Sequence, residues 1–184
     1  MVAKGKSSNP TWSDVKSAMI ELDQKQLLKL VADIYRFSKE NKVFLHARFG
    51  IGDDPLAPYK KTIEDCMYPD IYKNTPIHIS KAKKAISNYS KAVVDPVGVT
   101  ELTVFFVECG NNFTVSYGDM DEGFYDAINR MYRRAIEKVL SLPKEKQYEF
   151  QDRLKDIMTS SSNIGWGYHD VLSFDYHNAF PEEE

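Results

Sequence analysis

The chain has 184 residues, 42% hydrophobic and 28% charged, which is enough for one domain with a core and little for two. A net charge of −3 gives no global basic field for nucleic acid. No apolar run approaches the ~20 residues that cross a bilayer. Residues 1–10 lack the apolar stretch of a secretory leader. Cys66 and Cys109 have no CxxC spacing, so reduced thiols in a cytoplasmic location are expected.

In chain order, residues 1–10 read as a polar tail, 11–180 as a single helical domain, and 181–184 as an acidic tail. Asp23 to Gln26 has capping-box spacing. Leu27, Leu28, Val31, Ile34 and Tyr35 then recur at helical steps and predict one apolar face. Asn41 to Phe49 reads as a short helix stopped by Gly50 and Gly52. Asp54-Pro55 reads as a cap and first helical residue for a helix running to about Met67. Residues 68–79, with Pro69, Pro76 and Asn74, read as a connection. Ser80 is expected to cap a helix whose inner face carries Ala82, Ala85, Ile86 and Tyr89.

Asp95-Pro96 repeats the start signal. Val97 to Val107 is rich in β-branched and aromatic residues, which favours strand. Yet Leu102, Phe105, Phe106, Cys109 and Phe113 also sit at helical spacing. No partner strand with turn chemistry is evident, and a lone strand cannot satisfy its backbone. A buried helix is therefore expected. Asp119 to Glu122 reads as a second capping box, with Asp119 as the cap, before a helix lined by Phe124, Ile128, Met131, Ala135 and Val139. Pro143 opens a helix through Tyr148, Phe150, Leu154 and Ile157, and Trp166 to Phe180 reads as the last. The sum is an all-α fold of eight or nine helices in antiparallel pairs, for which a short HEAT-like stack is one arrangement.

Three segments carry a resemblance. They are Ser80-Lys81-Ala82-Lys83-Lys84-Ala85-Ile86, the stretch from Phe106-Val107-Glu108-Cys109-Gly110 through Tyr117-Gly118-Asp119 to Glu122-Gly123-Phe124-Tyr125, and Gly165-Trp166-Gly167-Tyr168-His169-Asp170. Together the chain resembles a family of small bacterial proteins classed only as a domain of unknown function. The resemblance covers nearly everything after residue 20. It implies an all-helical cytosolic protein and no particular activity. Glu108, Gly118, Asp119, Trp166, Gly167, His169 and Asp170 fall on that family's pattern. A small hydroxyl residue is usual there at the position of Cys109, so the resemblance pins no thiol chemistry on it.

The chemical candidates begin with His169-Asp170. The pair resembles the helical HD-type phosphohydrolases in that dipeptide alone, and such metal sites need further ligands from other helices. His169 and His177 are about 12 Å apart along a helix, too far to share one metal. The structural alternative has His169 hydrogen-bonded near the loop and Asp170 in a first helical turn, where the dipole favours it. An EF-hand register over Asp119 to Gly123 fails, because Phe124 and Arg130 stand where Gly and Glu are required. Trp166 reads either as an aromatic plug on the core or as a binding edge. If there is a pocket, it is expected beside the Gly165–Asp170 turn, formed by Trp166, Tyr168, His169 and Asp170 with Glu108 and Asp119. Lys81 and Lys84 on one helix and Arg130 and Arg134 on another are candidates for anion binding.

No nucleotide-binding or serine-hydrolase motif is present, no cofactor is implied, and no metal is specified. The leading expectation is a non-enzymatic module that binds a protein partner. A metal-dependent hydrolase or anionic-ligand-binding domain using His169 and Asp170 is the alternative, and nucleic-acid binding through the basic helix faces is the third.

Overall fold

A computed structural model describes residues 9–181. The expected tails at 1–8 and 182–184 lie outside the described residues. Among those described, the chain forms nine α-helices, one turn of 3-10 helix and no strand. It falls into two compact units, up to Leu45 and from His46 on, and each is described by itself.

The first unit holds α1 (Trp12–Ile20), α2 (Gln24–Phe37) and the beginning of α3 (Lys39–Phe49). Nothing in the sequence reading pointed to α1. Thr11 and Asp14 cap it reciprocally. The capping box of α2 forms as expected: Gln26 N donates to Asp23 Oδ1 at 2.7 Å, and Asp23 N to Gln26 Oε1 at 2.9 Å. The expected apolar face of α2 is helical but not enclosed. No residue of α1 or α2 is buried, and Leu28, Val31 and Ile34 are exposed. So short a stretch cannot surround its own side chains.

The second unit holds α4 (Ala57–Met67), α5 (Ile79–Ala92), α6 (Pro96–Tyr117), α7 (Glu122–Leu140), α8 (Lys144–Ser160) and α9 (Tyr168–Ala179). Each of these helices packs on the next, and most pack also on the one after. Short connections force successive helices to reverse direction, which produces stacked antiparallel pairs. The starts of α4 and α5 differ from expectation. Asp54 closes a turn by accepting from Leu56 N at 2.8 Å, and the proline of the first helical turn in α4 is Pro58, not Pro55. In α5 the cap position is His78, and Ser80 already lies within the helix. The expected inner face of α5 is buried throughout.

The ambiguous stretch is helix. Asp95 Oδ1 accepts from Gly98 N at 3.0 Å, and Pro96 occupies the first turn of α6. Its strand-like composition follows from its position: α6 packs against α4, α5, α7 and α8, so it is apolar on nearly every side. The buried threonines satisfy their hydroxyls inside the helix, Thr100 to Pro96 O at 2.8 Å and Thr103 to Val99 O at 2.7 Å. At Gly110 a side-chain carbon would meet the terminal methyl of Ile128 of α7, which would have to shift to make room.

Asp119 is not the cap of α7. That role belongs to Asp121, whose Oδ1 accepts from Phe124 N at 2.9 Å. The chain first leaves α6 through Gly118 at φ 97°, a turn that places the cap two residues later than expected. The inner face of α7 is buried as expected. The helix through Tyr148, Phe150, Leu154 and Ile157 forms as α8; Phe150, Leu154 and Ile157 are buried, whereas Tyr148 is exposed. The last helix begins at Tyr168, not Trp166.

The cap assignment has a direct check by urea denaturation. Asp121→Ala is expected to cost about 0.5–2 kcal/mol. Asp119→Ala, which removes only a 3.3 Å contact with the Tyr125 hydroxyl, is expected to cost less. The reverse order would restore Asp119 as the cap.

Candidate functional site: the groove between helices 4, 6 and 8

The expected site splits into two places. At the Gly165–Asp170 turn, Trp166 has φ 62° and Gly167 φ 66°, two consecutive left-handed residues. That conformation is strained for tryptophan. Trp166 is 69% exposed, so it is no plug on the core. Asp119 does lie beside this turn: a side-chain carbon on Gly165 would stand 3.8 Å from Asp119 Oδ2. His169 Nδ1 is 3.0 Å from the Met158 carbonyl oxygen and 3.0 Å from Ser161 Oγ. A carbonyl only accepts, so the ring proton belongs on Nδ1 and closes the C-terminal end of α8. Asp170 lies in the first turn of α9. Both residues thus sit where the structural alternative put them, His169 hydrogen-bonded near the loop and Asp170 in a first helical turn. Tyr168 is buried, with its hydroxyl donating to Asn111 Oδ1 at 3.1 Å, and burial pushes its phenol up from the ordinary range.

Glu108 is elsewhere. It lines a groove of about 670 Å³ formed by α4, α6 and α8, which no residue of the Gly165–Asp170 turn reaches. Glu64 and Tyr68 come from α4 and the following residue, Phe105, Glu108, Asn112 and Ser116 from α6, and Arg153, Asp156 and Ser160 from α8. Helical spacing explains the α6 set, because 105, 108, 112 and 116 recur at three- and four-residue steps along one face.

At one end of the groove four charged side chains form a chain. Lys60 Nζ lies 2.7 Å from Glu101 Oε1; Arg153 pairs with both oxygens of Glu101, and donates to Glu108 Oε1 at 2.7 Å and Oε2 at 2.8 Å. Burial alone would raise the Glu101 carboxyl, but hydrogen bonds and charge from Arg153 and Lys60 outweigh it and hold the group below the usual range. For Arg153, burial would favour the neutral form, and the two glutamates reverse that, so the guanidinium is firmly charged. The Cys109 thiol is pushed up to about 12, first by burial and then by the charges of Glu64 and Glu108. It stays protonated near neutral pH and is a poor nucleophile.

Among the described residues, no group of three or more His, Cys, Asp and Glu is placed to hold a metal ion. No helix among them is long and apolar enough to cross a membrane. The basic candidates are spread over two helices. Lys81 and Lys84 are exposed on α5, and the lysine that sits near Arg130 and Arg134 is Lys83. Burial first, and then those two arginines, lower its ammonium from the ordinary range. Arg130 itself pairs with Asp126 at 3.4 Å.

The profile of a family described as "Family of unknown function (DUF6155)" matches residues 11–176. The chain belongs to this family. No curated protein and no solved structure matches the chain. The matched span takes in the groove, the Gly165–Asp170 turn and nearly all of α9.

Sequence reasoning missed Glu101, Arg153, Asp156 and Glu64. Their one local signal was a glutamate pair, Glu101 and Glu108, seven apart on a helix otherwise nearly free of charge. Two turns of helix place both on one face of α6, where a cation from another helix must answer them.

Two outcomes are expected. Because the Glu101 pKa is lower folded than unfolded, its contribution is complete above the unfolded value, about 4.3, and is lost as pH falls through the folded value. Glu101→Gln is expected to destabilise the fold by roughly 1.5–3 kcal/mol at pH 7. The gap from wild type is expected to narrow below about pH 4 in urea titrations. Trp166→Gly is expected to change stability by no more than about 1 kcal/mol, since relief of left-handed strain offsets added chain entropy. A loss of about 3–5 kcal/mol would mark a buried plug instead.

Proposed function

We propose that the chain is a non-enzymatic interaction module whose groove between α4, α6 and α8 receives a lysine- or arginine-bearing segment of a protein partner. The observation that carries this is a charge imbalance. Glu64, Glu108 and Asp156 line the groove; among the described residues its one lining cation, Arg153, is already paired with Glu101 and Glu108, and neighbouring Lys60 with Glu101. The groove therefore has net negative charge to offer a guest, with Glu64 and Asp156 exposed to meet it. The rings of Tyr68 and Phe105 supply faces that attract cations, as Lys60 over Phe105 at 5.4 Å illustrates. Asn112, Ser116 and Ser160 supply donors and acceptors for a guest backbone. Against a thiol nucleophile in this groove stands the raised Cys109 thiol.

The test is fluorescence anisotropy with a labelled arginine-rich peptide, at low and physiological salt. Saturable binding is expected, weakened at least tenfold in Glu64→Lys and Asp156→Lys, with circular dichroism unchanged. Absence of binding, or equal affinity in both variants, refutes the assignment.

A further inference from the structure

The second unit has another groove, of about 550 Å³, on a different face of α8. It is lined from α8 by Lys144, Tyr148, Gln151 and Lys155, and from α9 and the following residues by Tyr176, His177, Ala179, Phe180 and Pro181; Leu140 of α7 completes it. Three features distinguish it from the acidic groove. Among the described residues, no carboxylate lines it, although the chain has more acidic than basic residues. Its two lysines have no carboxylate partner among the described residues. Tyr148, a large aromatic, stands 68% exposed between them along the helix.

The spacing defines the guest. Residues 144, 148, 151 and 155 form one stripe of α8. Lys144 and Lys155 are eleven residues apart, so their backbones are separated by about 16 Å along the helix axis. An extended peptide covers that distance in about five residues at about 3.3 Å each. The same groove is lined by the apolar or aromatic side chains of Leu140, Tyr176 and Phe180, and Tyr148 falls between the two lysines along the helix. The side chain of Gln151 lines the groove, has no hydrogen-bond partner among the described residues and can meet a peptide backbone. His177 Nδ1 donates to the Ser173 carbonyl at 2.8 Å, which fixes the ring at the edge of the groove.

We infer that this groove is a second binding site, for an extended acidic peptide segment that carries an apolar or aromatic residue between its acidic ends. The two lysines receive the terminal carboxylates, and the central side chain enters among Tyr148, Tyr176 and Phe180. Two cations about three helical turns apart, in a groove also lined by aromatic side chains, suit a guest with separated charges better than a single phosphate. The site is independent of the acidic groove, since the two share α8 but no residue.

The experiment uses a fluorescein-labelled heptapeptide with a central phenylalanine flanked by glutamates, followed by anisotropy. It is run on the full chain and on a chain ending at Pro181, so that Glu182–Glu184, which follow directly in sequence, cannot mask the groove. Saturable binding on at least one background is expected. Lys144→Glu with Lys155→Glu should weaken it at least tenfold, and Tyr148→Ala about threefold or more with the charges intact. Lys61→Glu with Lys91→Glu, a change of equal charge at exposed positions that line neither groove, should leave the affinity unchanged. Circular dichroism confirms that each variant is folded. The inference is overturned by absence of saturable binding on both backgrounds, by loss in the Lys61/Lys91 control equal to that in the groove variant, or by no effect of Tyr148→Ala. Preference for an oligothymidylate over the peptide at these same lysines would also overturn it and assign the face to nucleic acid.

Discussion

Asn111 ties three helices of the second unit together with one side chain. It is buried in the middle of α6, where an unpaired amide would cost about 1–3 kcal/mol. Its Nδ2 donates to Ser160 Oγ at 2.9 Å on α8, and its Oδ1 accepts from Tyr168 on α9. Ser160 passes the chain on to the Ile157 carbonyl at 3.0 Å. From Tyr168 the contact continues by ring packing to Tyr125 of α7, at 4.9 Å between centroids. The Tyr125 hydroxyl meets Thr114 at 2.8 Å and accepts from Met120 N at 3.1 Å. A helix enclosed by four others has few ways to carry polar groups, and here each buried one is matched to a specific partner. That matching sets the register in which α8 and α9 sit on α6.

The acidic groove depends on that register. Asn111 and Ser160 are part of its wall, and Arg153 meets Glu101 and Glu108 only if α8 keeps its rotation and height against α6. The ion chain is partly buried, so its value lies as much in fixing geometry as in stability. Within it Lys60 and Arg153 balance Glu101 and Glu108, so the carboxylates the groove has to spare are Glu64 and Asp156. The Gly165–Asp170 turn serves the same end from outside: His169 closes α8, Tyr168 reaches Asn111, and the left-handed pair Trp166-Gly167 brings the chain round to do both.

Helix α8 divides the charge of the unit. Arg153, Asp156 and Ile157 face the acidic groove, whereas Lys144, Tyr148, Gln151 and Lys155 face the other. A net charge of −3 averages these two fields and hides both. Composition argues about long-range steering, and a binding face is a local property. The same averaging misleads at α2, whose apolar stripe is as regular as that of α7 yet encloses nothing within its own unit.

By itself the sequence determined what is local. The caps at Asp23 and Asp95, the proline at the start of α6, the buried face of α7 and the all-helical class all rest on contacts within three or four residues, which spacing exposes directly. Even the strand-like stretch of α6 yielded to the argument that a lone strand cannot satisfy its backbone. The misplaced caps at Ser80 and Asp119 mark the limit of that reasoning, since several oxygens compete for the same amides and backbone geometry at Gly118 decides between them. The tertiary structure alone decided the sites. Arg153 lies 45 and 52 residues from the glutamates it joins, and Asn111 lies 57 from Tyr168. Periodicity says which face of a helix is turned inward. It carries no information on which other helix lies there or at what height, and those two facts create the grooves.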